Sequence, residues 1–233
     1  MSVPRSEVNP MRTWLEETFS GVVNLEALGP SKIDVLVEAF EKAVPCPDRQ
    51  IERTLNRVWL AERLPRHAIG AEIGVFRGHF AEVICQVAKP RVVYLVDPWT
   101  LEGDTFKWGA AYTNHKKLKT IDAYEECKLR VTRGGAKQVV MVQGYFPECS
   151  RAVQHKLDWA YLDASHSYED TLAELHALDV LMNPMAVIAG DDWSPAPSSQ
   201  HHGVFRAVQE FAACSRWKLV MCGYLRQWML KRY

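Results

Sequence analysis

The sequence lacks a long apolar run and an excess of either charge. No stretch of its 233 residues approaches about 18 consecutive apolar residues, and its start lacks the apolar core of a secretory signal. Lysine plus arginine equal aspartate plus glutamate at 28 each, so no strong field draws the protein to nucleic acid or to an anionic membrane. With 48% hydrophobic residues, the sequence predicts a cytoplasmic globular protein with a sizeable core that binds neither nucleic acid nor membranes.

Closely spaced cysteine pairs are also missing. The sequence has no C-x-x-C pair, and its six cysteines lie far apart, at Cys46, Cys85, Cys127, Cys149, Cys214 and Cys222. Four of them fall within apolar helical or strand-like patterns, which are typical of buried free thiols. We therefore predict neither disulfides nor a zinc site.

Helix start and stop signals dominate the first third of the chain. "MRTWLEETFSG" ends on Gly21, "SKIDVLVEAFEKAV" begins at Ser31 and stops before Pro45, and "DRQIERTLNRVWLAERL" begins at Asp48 and stops before Pro65. Apolar residues in the last segment recur at helical spacing. We predict amphipathic helices here, and such helices offer a face for a homo-oligomer.

From His67 onward, short apolar runs alternate with helical patterns. The runs are "AIGAEIGV", "RVVYLVD", "QVVMVQG", "LDWAYLDA" and "MAVIAGDD", followed by a closing pair, "WKLVMCGY" and "QWMLKRY". Strands separated by helices predict a parallel sheet covered on both faces, and the closing pair, joined by a very short link, must be antiparallel. The predicted fold is a Rossmann-like, doubly wound, mostly parallel seven-stranded α/β sheet with an antiparallel edge strand over residues 67–233, preceded by a helical cap over residues 1–66.

The turn after the first strand, "AEIGVFRGHF", points to a ligand site. Gly74 and Gly78 would let a ligand approach the backbone near a helix amino terminus. G-x-G-x-x-G is absent, which disfavours a dinucleotide site and an NAD-dependent dehydrogenase. Glu72 places a charge in an apolar strand, where a ligand amine would pair with it. A cap or salt-bridge role for Glu72 is the alternative.

Asp97 ends the second strand, in "VVYLVDPW". An acidic residue at this position is placed to accept hydrogen bonds from a ribose diol, as in nucleotide-binding α/β folds. The alternative is a turn aspartate before Pro98.

Three carboxylates follow the fourth and fifth strands. Asp163 ends "AYLDA", and Asp191 and Asp192 end "VIAGDD", so neighbouring parallel strands would bring them together. Oxygen ligands of this kind suit Mg²⁺, Mn²⁺ or Ca²⁺, which would offset the repulsion between them. Alternatively, one of the adjacent pair caps the next segment. His166 could be a general base, with an ordinary pKa of about 6.5, or a helix-start residue bonded to the backbone.

Two long loops follow the second and fifth strands, "PWTLEGDTFKWGAAYTNHKKLK" and "WSPAPSSQHH". Both follow the carboxyl ends of strands, where open α/β sheets bind ligands, and loops of this length are usually functional. Trp99, Trp108 and Trp193 are candidates for a wall or lid that excludes water. We expect His201 and His202 to be solvated or to face the substrate.

Taken together, "AEIGVFRG", "VYLVDPW", "VQGYFPE", "LDWAYLDASHSYEDTLAEL" and "AVIAGDDW" resemble class I S-adenosylmethionine-dependent methyltransferases, most closely the macrocin and sugar O-methyltransferase type. The resemblance covers residues 67–233. It implies a cofactor site at Glu72, Gly74, Val75, Gly78, Asp97, Gln143, Gly144, Tyr145 and Asp163. It also implies a divalent metal, most simply Mg²⁺, at Asp163, Asp191 and Asp192.

The resemblance further implies a reaction. The metal would hold a hydroxyl of a small molecule, such as a sugar or glycoside, while His166 takes its proton, with Asp163 and Asp191 also at the catalytic centre. Many relatives have an aspartate where this chain has Ser165, which makes His166 the better base. Metal-independent transfer with Asp191 or His166 as base, and a cofactor-binding protein without turnover, are the alternatives. The sequence does not identify the methyl acceptor.

Overall fold

The computed structural model describes residues 57–99 and 120–233, which build an α/β unit around one sheet. The predicted helices before residue 57, their oligomer face, Cys46 and Trp108 lie outside the described residues, and the boundary at residue 66 stays a prediction. In chain order the elements are α1 (Val58–Ala61), β1 (Ile69–Ile73), α2 (His79–Val87), β2 (Val92–Asp97), α3 (Thr120–Thr132), β3 (Val139–Gln143), a 3₁₀ turn (Ser150–Ala152), β4 (Leu157–Leu162), α4 (Tyr168–Leu181), β5 (Met182–Gly190), α5 (His202–Cys214), β6 (Trp217–Cys222), a 3₁₀ turn (Tyr224–Arg226) and β7 (Trp228–Arg232).

The sheet has seven strands in the described part of the chain, in the order β3-β2-β1-β4-β5-β7-β6. Strands β1 to β5 are parallel, and β7 pairs antiparallel with both β5 and β6. Every residue of β1 and β2 is buried, as expected for strands covered on both faces. The predicted doubly wound, mostly parallel sheet with an antiparallel edge is confirmed.

Two element boundaries differ from the prediction. β5 begins at Met182, directly after α4, and not at Met185. Asn183 Nδ2 donates to Asp158 Oδ1 of β4 at 2.8 Å, which holds the start of β5 against the sheet. The segment "FPECSRAVQ" lies between the third and fourth strands, where the alternating pattern predicts a helix. It forms only a 3₁₀ turn, because so short a segment gains few helical hydrogen bonds.

The segment before β1 belongs to the core of this unit. All four residues of α1 are buried, and α1 packs against α2. Of the cysteines in the described ranges, Cys85 and Cys127 are buried as predicted, Cys149 is half-buried, and Cys214 and Cys222 are exposed. None of the helices within residues 57–99 and 120–233 is long and apolar enough to cross a membrane.

A buried charged cluster lies between α2 and α3. Arg130 bonds Glu82 at 3.1 Å and Glu126 at 2.6 Å, and Arg77 also bonds Glu126, at 2.6 Å. His79 is buried beside them. Burial lowers the pKa of His79 to about 3, and the positive charges of Arg130 and Arg77 act in the same direction. His79 is therefore neutral in the folded protein at neutral pH.

Replacing His79 with glutamine should remove a loss of stability that the wild-type protein shows in acid. The unfolded chain takes up a proton near pH 6.5, whereas the folded chain resists protonation until about pH 3. The free energy of unfolding of the wild type therefore falls as the pH drops below about 6.5, by about 2–3 kcal/mol at pH 4.5, and His79 has no such effect above pH 7. Urea unfolding at pH 7.5 and 4.5 measures this difference. His176→Gln, at an exposed position, is the control, and parallel wild-type and His79→Gln profiles would contradict the prediction.

Candidate active site

The carboxyl edge of the sheet brings most of the predicted site residues together. The N–H of Asp163 donates to Ile73 O at 2.8 Å, and the N–H of Asp191 donates to Leu162 O at 3.2 Å. The first bond continues the ladder that pairs Ile73 with Leu162, and the second continues the ladder that pairs Leu162 with Gly190. Strand register therefore places the carboxylates that follow β4 and β5 side by side.

Glu72 lies in the middle of this edge and is 2% exposed. It pairs in register with Leu95 on β2 and Tyr161 on β4. Its Oε2 has no hydrogen-bond partner within residues 57–99 and 120–233. Burial raises the pKa of Glu72 well above its ordinary value, although the positive charge of Arg57 opposes that rise. A buried carboxyl oxygen without a partner fits the cationic amino group of a ligand.

Asp97 clamps the glycine-rich turn onto the end of β2. Its Oδ2 accepts hydrogen bonds from the N–H groups of Val75 at 3.0 Å and Phe76 at 2.9 Å, and its Oδ1 accepts from Trp99 N–H at 3.0 Å. Asp97 therefore has the structural role in a turn that the sequence analysis gave as the alternative. Binding of a ribose diol by the same carboxylate stays a prediction.

Gly74 is the point of closest approach between the turn and β4. Its φ is +85°, and a Cβ added there would lie 2.0 Å from the backbone oxygen of Asp163. Gly78 also has a positive φ, of +77°, and precedes α2. The turn therefore requires glycine at both positions, because it packs against the backbone of Asp163 and against Cys127. Ligand binding at this turn stays a prediction.

The residues expected near an adenine follow β3. Gln143 is exposed and pairs in register with Asp97. Gly144 N–H donates to Asp97 O at 3.1 Å, and Tyr145 is half-buried. This segment therefore lies next to Asp97 at the same edge, and its role in cofactor binding stays a prediction.

Arg57 lies between two of the predicted metal ligands. Its Nη2 is 2.8 Å from Asp163 Oδ2 and also contacts Asp191 Oδ2. The guanidinium carbon lies 5.8 Å from the ring centroids of both Phe80 and Tyr161. A permanently charged group, 10% exposed at its side chain, thus holds Asp163 and Asp191 together.

Asp191 has a second buried partner. Gln227 Nε2 donates to Asp191 Oδ1 at 2.6 Å, and Tyr161 OH donates to Gln227 Oε1 at 3.1 Å. Burial raises the pKa of Asp191; Arg57 opposes this shift, and the neighbouring carboxylates add to it. Both oxygens of Asp191 therefore meet donors from the protein itself.

Asp192 contacts two histidines and Arg226. Its backbone is left-handed at φ +66°, and Arg226 Nη2 donates to its Oδ1 at 2.7 Å. Its Oδ2 lies 3.0 Å from His166 Nε2 and 3.2 Å from His201 Nδ1. Asp192 and the two histidines form the group of possible metal ligands found in the described residues, with ligand atoms within 4.8 Å of one another.

Protonation differs sharply among these three side chains. Burial opposes charge on His166, but contacts with Asp163 and Asp192 outweigh it and raise its pKa to about 10. Burial also lowers the pKa of His201. For Asp192, contact with His166 outweighs burial and lowers the pKa of the carboxyl group. His166 is therefore an imidazolium at neutral pH and not the group of pKa about 6.5 that the sequence suggested.

The three carboxylates do not fit a shared divalent cation while Arg57 is in place. Arg57 meets the facing oxygens of Asp163 and Asp191, and Gln227 and Arg226 donate to further oxygens of the group. A cation there would have to displace the guanidinium. Oxygen ligands need direct contact with Mg²⁺ at about 2.0–2.1 Å, and the guanidinium lies where such contacts would form. The predicted metal at these residues is not tested by the structure.

Trp99 and Trp193, which the sequence suggested as parts of a wall or lid, are both buried. Trp99 is fully buried, and its Nε1–H donates to Phe76 O at 2.7 Å. Trp193 is 6% exposed and packs edge to face on Phe205. Trp193 belongs to the hydrophobic core cluster, and Trp99 packs edge to face on Tyr124. His202 Nδ1 contacts Ser194 O at 3.2 Å within the proline-rich loop.

Three site residues had no functional interpretation in the sequence: Arg57, Arg226 and Gln227. Arg57 falls inside a predicted helix, and Gln227 and Arg226 precede an edge strand. In the sequence, each is only a polar residue beside apolar residues. Many solvent-exposed residues show the same pattern, so it does not indicate a site residue. Their contacts depend on which distant segments return to the edge.

Comparison with known proteins identifies the family and the fold of the chain. Residues 71–193, more than half of the chain, match the family described as methyltransferase domain. The cofactor-bound protein Rv0187 from MTB is 15% identical, covering 97% of this chain and 98% of its own, with a TM-score of 0.56. An O-methyltransferase from Bacillus cereus in complex with SAH is 14% identical, covering 96% and 100%, with a TM-score of 0.51. An rRNA methylase from Streptococcus thermophilus is 12% identical, covering 76% and 93%, with a TM-score of 0.50.

No curated protein is significantly similar to the chain. At the identities of the solved structures, likeness concerns the fold, whereas the family match extends across the turn, Glu72, Asp97, Asp163 and the adjacent aspartates. The chain belongs to the methyltransferase-domain family and is an S-adenosylmethionine-dependent methyltransferase.

Proposed function

We propose that this methyltransferase acts on a hydroxyl oxygen of a small molecule. The observation that carries the proposal is the position of His166, whose side chain is 43% exposed and lies 3.0 Å from Asp192 and 3.7 Å from Asp163. It is a proton-transferring group that reaches solvent from a buried acidic edge. O-methylation needs such a group, because the acceptor hydroxyl loses its proton.

In this proposal, the buried residues of the edge hold the cofactor. S-adenosylmethionine supplies a methyl group activated by its sulfonium. Glu72 pairs with the amino group, Gly74 and Gly78 admit the methionine part, and Asp97 binds the ribose hydroxyls. Beside the ribose, Gln143, Gly144 and Tyr145 contact the adenine. The unpartnered Oε2 of Glu72 supports this arrangement.

Because contacts with Asp163 and Asp192 raise its pKa to about 10, His166 is neutral in only a small fraction of the enzyme at neutral pH, and in this proposal that fraction takes the proton of the acceptor. Asp163 and Asp192 stabilise the imidazolium that results, since both carboxylates lie within 4 Å of Nε2. Asp191 contacts Arg57. The edge thus separates a fixed, buried ion pair from an exposed group that exchanges protons.

Composition disfavours a polyanionic acceptor. The fold itself does not select an acceptor, because an rRNA methylase and an O-methyltransferase share it. Equal numbers of basic and acidic residues disfavour RNA, whose binding depends on phosphate contacts. A sugar, a glycoside or a similar hydroxylated metabolite in the cytoplasm is the acceptor class that we propose.

A cation-assisted reaction is the second candidate. Asp192 Oδ2 and His201 Nδ1 are buried without a partner of hydrogen-bond geometry in the described ranges, although they lie only 3.2 Å apart. With His166 Nε2 they would suit a first-row transition cation, because imidazole nitrogen prefers such ions to Mg²⁺. In this candidate, His166 is a ligand and not the base.

Replacing His166 with asparagine should lower kcat by about 10²–10⁴-fold and leave the Kd for S-adenosylhomocysteine unchanged. The assay follows labelled methyl transfer from S-adenosylmethionine to a panel of methyl glycosides, catechols and RNA, with calorimetry for the cofactor. His202→Asn, the neighbouring histidine outside the group, should match the wild type. Transfer to RNA alone would contradict the proposed acceptor, and loss of all activity on chelation would favour the second candidate.

A further inference from the structure

The positive charge between Asp163 and Asp191 comes from Arg57, a residue of the protein itself. Arg57 precedes α1, far from both aspartates in sequence, and its Nη2 contacts an oxygen of each. The side chains of the three residues are 10%, 13% and 9% exposed, respectively. Two carboxylates buried so close together repel each other, and a cation between them is what makes the arrangement stable.

Several contacts fix the guanidinium in this position. Phe80 on α2 and Tyr161 on β4 place their rings 5.8 Å from its central carbon. Gln227 holds the other oxygen of Asp191 at 2.6 Å. A guanidinium is planar, weakly hydrated and permanently charged, so it suits a buried position between aromatic rings and carboxylates better than an ammonium does.

We infer that Arg57 is a fixed internal cation that takes the place of a divalent metal between Asp163 and Asp191. It is a positioning residue: it neutralises the edge and sets the distance between the two carboxylates. The inference concerns cation binding alone and does not require that the methyl acceptor be a hydroxyl. The histidine pair contacts Asp192, and His166 Nε2 also lies 3.7 Å from Asp163 Oδ1, whereas Arg57 contacts Asp163 Oδ2.

The inference predicts a gain of metal binding when the arginine is removed. Arg57→Ala leaves an all-oxygen group, which Mg²⁺ prefers, whereas the wild type offers Mg²⁺ no such site. Calorimetry with Mg²⁺ on chelator-treated, full-length protein without a histidine tag should show binding at least 10-fold tighter to Arg57→Ala than to the wild type. Adding Asp163→Asn to Arg57→Ala should cancel the gain.

Two further variants control for folding and location. Arg57→Lys keeps a charge and should not gain Mg²⁺ binding. Arg63→Ala removes an exposed arginine of the same segment, which contacts only the Trp59 ring and backbone among its described contacts, and should behave as the wild type. Wild-type binding of Mg²⁺ as tight as that of Arg57→Ala overturns the inference. The inference is also overturned if the wild type binds Mg²⁺ tightly and Asp163→Asn loses that binding. This comparison can be made even if Arg57→Ala does not fold.

Discussion

Replacing Glu72 with glutamine should weaken S-adenosylmethionine binding by about 100-fold or more and, at the same time, stabilise the ligand-free protein. The carboxylate is 2% exposed, and its Oε2 lacks a partner among the described residues. Removing one member of a buried ion pair costs about 3–5 kcal/mol, which is the pairing lost with the cofactor amine. Without the cofactor, the same change removes the free-energy cost of burying a carboxyl group whose pKa burial raises well above its ordinary value.

Opposite signs for affinity and stability make this prediction specific. Calorimetry with S-adenosylmethionine gives the affinity, and thermal unfolding without ligand should show a Tm higher by about 2–4 °C for each kcal/mol gained. Glu82→Gln is the matched control. Glu82 is equally buried, but its Oε2 accepts a hydrogen bond from Arg130 at 3.1 Å, so its loss should lower stability and leave the affinity unchanged. Wild-type affinity in Glu72→Gln would rule out the proposed amine contact.

Replacing Gly74 with alanine should destabilise the protein by about 2–5 kcal/mol. Left-handed backbone costs a residue with a Cβ about 1–2 kcal/mol, and overpacking adds about 1–3 kcal/mol. The new Cβ would lie 2.0 Å from the backbone oxygen of Asp163 and 2.8 Å from Ala164 Cα. Backbone atoms held by the ladder cannot move aside as a flexible side chain can.

Gly223→Ala separates the two causes. Gly223 has nearly the same φ, +89°, but the nearest atom to an added Cβ is 3.8 Å away on Trp193. Its substitution should therefore cost only the backbone part, about 1–2 kcal/mol. Urea unfolding of both variants measures the difference. Equal losses at the two positions would show that close approach to β4 does not matter.

The sequence predicted the frame of the candidate site because that frame depends on local pattern. Alternating apolar runs and helices predict parallel strands, and residues that follow such strands meet at one edge of the sheet. Glu72, Asp97 and Asp163 could therefore be placed at that edge from their positions in the pattern. The structure brings them there through the strand register.

Burial of the tryptophans was beyond the sequence pattern. Trp99 and Trp193 follow strands and precede loops, a position that equally suits a lid and a core residue. Which one applies depends on whether neighbouring segments cover the ring. Phe205 from α5 packs on Trp193, and the backbone oxygen of Phe76 accepts the indole N–H of Trp99.

The charge state of the site was decided by tertiary structure alone. By itself the sequence determined that three carboxylates gather at one edge and need a cation, since their repulsion follows from strand order. It did not determine which cation, because Arg57 lies 134 residues before Asp191 and meets it only in the folded chain. Partner choice between charges depends on distance and burial, and these exist only after the helices have packed on the sheet.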